Sequence, residues 1–186
     1  MFREYFQGQM RGGIMKELMR YYANCNKLIN ENLNQIIREK ISEPYDLALK
    51  GYYFKTLGAI FDHLFATDMI WMQAFLKIEN FGLDLEKEIG QVPEYGAHIF
   101  NNFDEYIMQR TRLDNFILSF VSRINDDFTV RTVSRKTGSG NLIERVVFKA
   151  MVHFFNHQTH HRGQVSSILD EMNVENNYSN MIFYDV

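Results

Sequence analysis

Residues 151–165 read MVHFFNHQTHHRGQV, a stretch that holds four of the chain's six histidines. At about 100° per residue on a helical wheel centred on His157, His153 lies near −40° and His161 near +40°. Gln164 and Ile168 fall between them, Phe154 and Val165 border them, His160 sits at the edge, and Arg162 points far away. The spacing therefore predicts a helix with His153, His157, His161 and Gln164 stacked on the face expected to be buried. Polar groups on such a face need partners. An i, i+4 histidine pair can present two ring nitrogens to one cation, as in known zinc sites. The same pair hydrogen-bonded to carbonyls or carboxylates accounts for the spacing equally well.

Outward from this stretch the helical period continues over about 143–172. Three more segments share it. Over about 14–39, Ile14, Leu18, Tyr22, Cys25, Ile29, Leu33 and Ile36 recur at gaps of three or four. From about Asp46 to Asn80, a stripe runs through Ala59, Ile60, His63, Ala66, Thr67, Ile70 and Ala74. Over about 99–125, Phe103, Tyr106, Ile107, Phe116, Ile117, Phe120 and Ile124 face inward. Before the last helix, Phe128, Val130 and Thr132 alternate with polar residues and TGSG supplies a turn, which predicts a short β-hairpin. The expected fold is all-α, a four-helix bundle with long crossover connections and that hairpin. The long connections after the second and third helices would let a helix run parallel to its predecessor, so the order of directions stays open. The chain reads as a single domain over 1–186. Its first 13 residues, MFREYFQGQMRGG, resemble a protease-tag scar and stand apart from the fold. The aromatic end is expected to dock Phe183 and Tyr184 on the bundle.

Hydrophobic residues make up 46% of the chain and aromatics 15%, enough for a sizeable core and too much for a disordered chain. A net charge of −3 argues against non-specific binding to nucleic acid. Arg131, Arg135 and Lys136 form one basic cluster, read as a solvated hairpin. The single cysteine, Cys25, excludes an internal disulfide, fits a core position, and suits a reducing, cytoplasmic setting. The opening residues have no apolar h-region of a signal peptide, and no apolar run approaches the ~20 residues that cross a bilayer. No membrane partner is expected.

A third ligand would change the meaning of the histidine pair. His63 sits mid-helix among small residues, where a partner helix could approach closely. Three neutral imidazoles from two helices leave one or two positions open on a divalent ion, and open positions favour catalysis over a purely structural role. His98, in a loop without a spacing partner, reads as surface. A separation of more than ~10 Å between His63 and His157 would make the bundle metal-free, because zinc–imidazole bonds are about 2 Å.

NHQTHHRGQV resembles the signature of the DinB-like (DNA-damage-inducible) family of metal-binding four-helix bundles. That motif, His-x-x-x-His-Arg-Gly-Gln, is matched by His157, His161, Arg162, Gly163 and Gln164, preceded by Asn156. The family's remaining ligand, a histidine in the second helix, is matched by His63 in AIFDHLFATDMIWM. The resemblance runs from about Met15 to about Leu169 and includes the order helix, ligand helix, helix, hairpin, ligand helix. It implies a nickel or zinc ion on His63, His157 and His161, with water completing the shell, and a homodimer. His153 and Gln164 would then support the ligands from behind, and His160 would face a neighbour or solvent. Gly163 would allow close helix approach, and Arg162 would pair with a carboxylate outside the pocket.

Some members of the family transfer low-molecular-weight thiols or isomerise thiol adducts, and others resemble hydrolases. The resemblance thus implies a metal-dependent enzyme of thiol S-transferase or hydrolase type acting on a small molecule, with such a thiol as a further cofactor. No carboxylate shares the His157 stripe, so no general base can be named; thiol transfer, which needs none, is slightly favoured. The alternative is a non-catalytic, stress-responsive bundle stabilised by its ion. An open cleft leading to the ion would favour the enzyme, and a seal of Phe and Met side chains the alternative.

Overall fold

Four long helices dominate the computed structural model, which describes residues 13–176 and 181–184. In chain order they are α1 (Ile14–Lys40), α2 (Leu57–Leu76), α4 (Phe103–Arg123) and α6 (Val147–Glu171). The short helices α3 (Leu85–Glu88) and α5 (Asp126–Thr129) lie in the connections, and β1 (Thr132–Lys136) pairs antiparallel with β2 (Leu142–Val146). Residues 1–12 of the tag-like opening lie outside the described residues, and so does the side chain of Phe183. Tyr184 is held at α1, its hydroxyl accepting from Asn32 Nδ2 at 2.9 Å. Among the described residues no helix is long and apolar enough to cross a membrane.

Local chemistry sets the boundaries, and in places it moves them. The second helix starts at Leu57, not near Asp46, because Thr56 caps it by accepting from the amide of Ala59. Residues 46–56 instead form a loop closed by an Ala48–Thr56 bridge, with Gly51 at φ +88° making its turn. Asn102 caps α4 at the amide of Glu105. Phe128 and Val130, expected in a strand, fall in and just after α5, whose start is capped by Asn125. The hairpin is shifted towards the C-terminus accordingly. Its register pairs Thr132 with Val146, so the ladder consumes the residues that were expected to open the last helix.

Contact pairs settle the direction of each helix. Arg38 meets Asp104 and Asn30 meets Asp114, so α1 and α4 are antiparallel. Phe61 packs on Phe103 and Phe75 on Phe120, so α2 and α4 are parallel. His63 meets His157 and Trp71 meets His153, so α2 and α6 are antiparallel. Tyr22 stacks on Phe155 and Arg162 reaches Asn26 and Asn30, so α1 and α6 are parallel. The order is up, down, down, up, with the helices arranged α1–α4–α2–α6 around the core. Residues 77–102 must therefore climb the length of α2 before α4 can begin.

Two apolar stripes differ from expectation. On α1, Ile14 and Leu18 are exposed, while Met19 and Ala23 are buried in their place. On α6 the buried residues Met151, Phe154, Gln158, Arg162, Val165 and Leu169 centre about 100° from His157 on the wheel. The histidines thus stand on the edge of the buried face, where α6 meets α2. Its opposite edge turns toward α1.

Between the four helices lies a polar network. Arg110 on α4 donates to Asp68 on α2 and to Asp114 one turn along its own helix, both at 2.6 Å. Asn30 on α1 donates to Asp114, and Arg162 on α6 donates to Asn30. Arg162 also bonds Asn26, Gln158 and Thr159. Asp68 is 0% exposed and Arg110 2%. Burial pushes Asp68 up to about 6 despite the opposing pull of Arg110.

Candidate metal centre

The antiparallel contact of α2 and α6 places His63 opposite His157 and His161. The Nε2 of His157 lies 3.1 Å from that of His63 and 3.1 Å from that of His161. One ring nitrogen from each of the three falls within 4.8 Å of the others, the one such group of three among the described residues. The ~10 Å separation that would have excluded a shared ion does not occur.

All three imidazoles are neutral near pH 7. Burial, reinforced by His161, pushes His63 down to about 4. Burial and the neighbouring histidines push His157 down to about 3. Burial lowers His161 as well, against the opposing effect of its bond to Gln164. His161 Nδ1 lies 2.7 Å from Gln164 Oε1. An amide oxygen there requires the proton on Nδ1, which leaves the Nε2 lone pair facing the other two rings. A proton on His157 Nε2 could serve only one of its two neighbours, and His157 Nδ1 is buried without a protein partner. Hydrogen bonding alone leaves this nitrogen cluster unsatisfied, and a divalent cation that accepts imidazole nitrogen suits it. The three histidines can hold such an ion.

A cavity of about 240 Å³ opens beside His63, lined also by Tyr53, Phe54, Asp62, Tyr95 and His98. Phe54 packs 5.1 Å from the His63 ring and 5.6 Å from the His161 ring, and Tyr95 presents its ring edge-on to His63 at 5.5 Å. His98, read as a surface residue, is exposed, and it also lines this cavity, with Nδ1 3.2 Å from Asp62 Oδ2. Asp62 also accepts from the Tyr45 hydroxyl, which itself accepts from the amide of Phe100 at 3.2 Å. Burial and the bond to Asp62 raise the Tyr45 phenol, so it stays a donor. Gly58 makes this possible: a Cβ there would lie 2.5 Å from the Tyr45 carbonyl oxygen.

A carboxylate absent from the His157 stripe, Asp62, thus stands on the other helix, directly before His63. Its adjacency to His63 in the sequence was the available signal.

The other motif residues divide. Gln164 supports His161. His153 is exposed, rests edge-on against Trp71 and lies 6.1 Å ring to ring from His157. His160 is exposed with its ring 4.9 Å from His161. Arg162 bonds side-chain oxygens of Asn26, Asn30, Gln158 and Thr159, and Asn30 links it to Asp114. The close approach expected at Gly163 is not seen among the described residues, where a Cβ would meet nothing within 4 Å. The expected basic cluster is not one patch: Arg131 pairs with Glu79 at 2.9 Å, while Arg135 folds back over Trp71.

Comparison with known proteins agrees with the motif. The family model described as DinB family matches residues 7–184, nearly the whole chain, and the chain belongs to that family. No curated protein matches it.

Proposed function

We propose, with membership of the DinB family as the premise, that the chain is a metal-dependent enzyme of thiol S-transferase or hydrolase type. In this reading His63, His157 and His161 hold nickel or zinc, and a small-molecule substrate enters the cavity beside His63. The observation that carries the reading is the convergence of three imidazole nitrogens next to a cavity. The ion would supply Lewis acidity, lowering the pKa of a thiol or water brought to it. Gln164 fixes the tautomer of His161. Phe54 and Tyr95 wall the centre and limit water around it. His98, oriented by Asp62, accepts the proton that a nucleophile gives up inside the cavity. With that acceptor available, the missing base no longer disfavours hydrolysis. A homodimer is proposed with it, to be checked by light scattering.

A second reading, a non-catalytic bundle stabilised by its ion, draws support from Phe54, which covers two of the three rings. The first experiment is metal analysis of protein purified without a histidine tag, beside a His161→Ala variant. Stoichiometric nickel or zinc is expected in the parent and its loss in the variant. Full retention of metal by the variant would remove the triad. Metal-loaded protein that turns over neither bacterial thiols with electrophiles nor activated esters would favour the second reading.

A further inference from the structure

Rings wall the cavity beside His63. Of its nine lining residues, five carry one: Tyr53, Phe54, His63, Tyr95 and His98. Phe54 and Tyr95 each pack on His63, at 5.1 and 5.5 Å, and Tyr53 meets Phe54 edge-on at 5.1 Å. Three of the other four lining residues are alanine or glycine, too small to fill the space between the rings. Tyr53 is 85% exposed and Tyr95 57%, so two large rings stand in solvent at one opening. A volume of about 240 Å³ is the room of roughly eight waters at ~30 Å³ each. One benzene ring with a short substituent has about that many non-hydrogen atoms.

The polar groups of the lining select the kind of ligand. No lysine or arginine lines the cavity among the described residues, so no fixed cation there pairs with an anion. Asp62 is 4% exposed and accepts from Tyr45 and His98, which keeps its carboxylate from a ligand cation. What the walls offer is ring faces, which are negative, and ring edges, which are positive. A neutral aromatic ring complements both. His98 adds a directional acceptor. With Nδ1 bonded to Asp62, the neutral ring carries its free lone pair on Nε2, and the side chain is 74% exposed. His63 belongs both to this wall and to the three-histidine cluster, so a ligand in the cavity lies against the metal centre.

We propose that the cavity receives a neutral aromatic ring bearing a hydroxyl or thiol. The ring packs among Tyr53, Phe54 and Tyr95, and its O–H or S–H donates to His98 Nε2. Only the ligand's role as substrate of the metal centre rests on the proposed function.

Three neutral probes of similar size separate the two contacts: phenol, anisole, which lacks the donor, and cyclohexanol, which lacks the aromatic ring. Each is titrated into the protein as purified and after removal of metal with a chelator, and NMR shifts of the His98 and Tyr95 ring signals are followed. Phenol is expected to shift both signals saturably in both states. Anisole and cyclohexanol should each bind about three- to tenfold more weakly, the first for the lost hydrogen bond and the second for the lost ring pairing. His98→Phe should bring phenol down to the affinity of anisole and leave anisole within about twofold. Tyr95→Leu should weaken phenol and anisole alike by about three- to tenfold, and cyclohexanol by less. Both replaced side chains are exposed; circular dichroism verifies each fold, and either variant decides if the other does not fold. The absence of a saturable shift overturns the proposal, as does equal affinity for phenol and cyclohexanol, or phenol binding unchanged in His98→Phe. Phenol binding that is lost with the metal and in His161→Ala, yet kept in His98→Phe, would place phenol on the ion, overturning the subsite while leaving the metal reading intact. Metal analysis that finds no ion, with phenol bound as expected, removes the metal reading alone and leaves the subsite standing.

Discussion

The polar network of the core and the histidine cluster at its edge both place hydrogen-bonding groups in the interior, and they are built on opposite rules. In the core, Arg110 lies between Asp68 and Asp114, and Asn30 links Asp114 to Arg162. Opposite charges and amides close on one another across four helices. At the edge, three nitrogens of the same kind converge with no acid among them. The first region neutralises its charges among its own members, although Asn26 Nδ2, Asp68 Oδ1, Arg110 Nε and Gln158 Nε2 are buried without partners in it. The second could take a cation from outside. A buried polar cluster therefore reads as structural or functional according to whether its own members neutralise it.

The contrast is open to attack. Arg110→Leu should do the most damage, because it strands two carboxylates in the core: a loss of about 3–5 kcal/mol in denaturant unfolding is expected, with metal content unchanged. A loss below about 1 kcal/mol would mean that the network does not fasten the bundle. Gln164→Leu should act on the other region, lowering metal affinity about 10–100-fold in competition with a chelator. Equal affinity in that variant would show that His161 needs no support from behind. Gly163→Ala should have the smallest effect, a gain of up to about 1 kcal/mol from helix propensity, since the added methyl meets open space. A loss of stability instead would show that a second copy of the chain packs on this face.

Much of this architecture was legible from periodicity, and the reasons for the misses are particular. The α4 stripe of Phe103, Tyr106, Phe116, Ile117 and Phe120 is buried as read. His63, His157 and His161 were singled out from spacing and motif, and the structure brings them together. Helix direction was hidden because it depends on contacts between residues far apart in sequence, such as Phe61 with Phe103. Residues 46–56 were read into the second helix although its stripe begins only at Ala59, and the turn at Gly51 and the Thr56 cap place the start at Leu57. The core network was missed because Arg, Asp and Asn read as surface residues. Its trace was present nonetheless: Asn26, Asn30 and Asn34 recur every four residues on the buried side of α1, and Arg110 and Asp114 stand one turn apart.

The parallel run of α2 and α4 forces residues 77–102 back along the bundle, and this crossover delivers Tyr95 and His98 to the cavity. The loop before α2 supplies Tyr53 and Phe54. The groups suited to grip an ion thus sit on rigid helices, while most of the chamber around them is loop. Loops tolerate substitution and insertion far better than packed helices. Such a design separates anchorage from taste. Rewriting residues 53–54 and 95–98 would reshape the cavity, with the spacing of the three nitrogens left as it is.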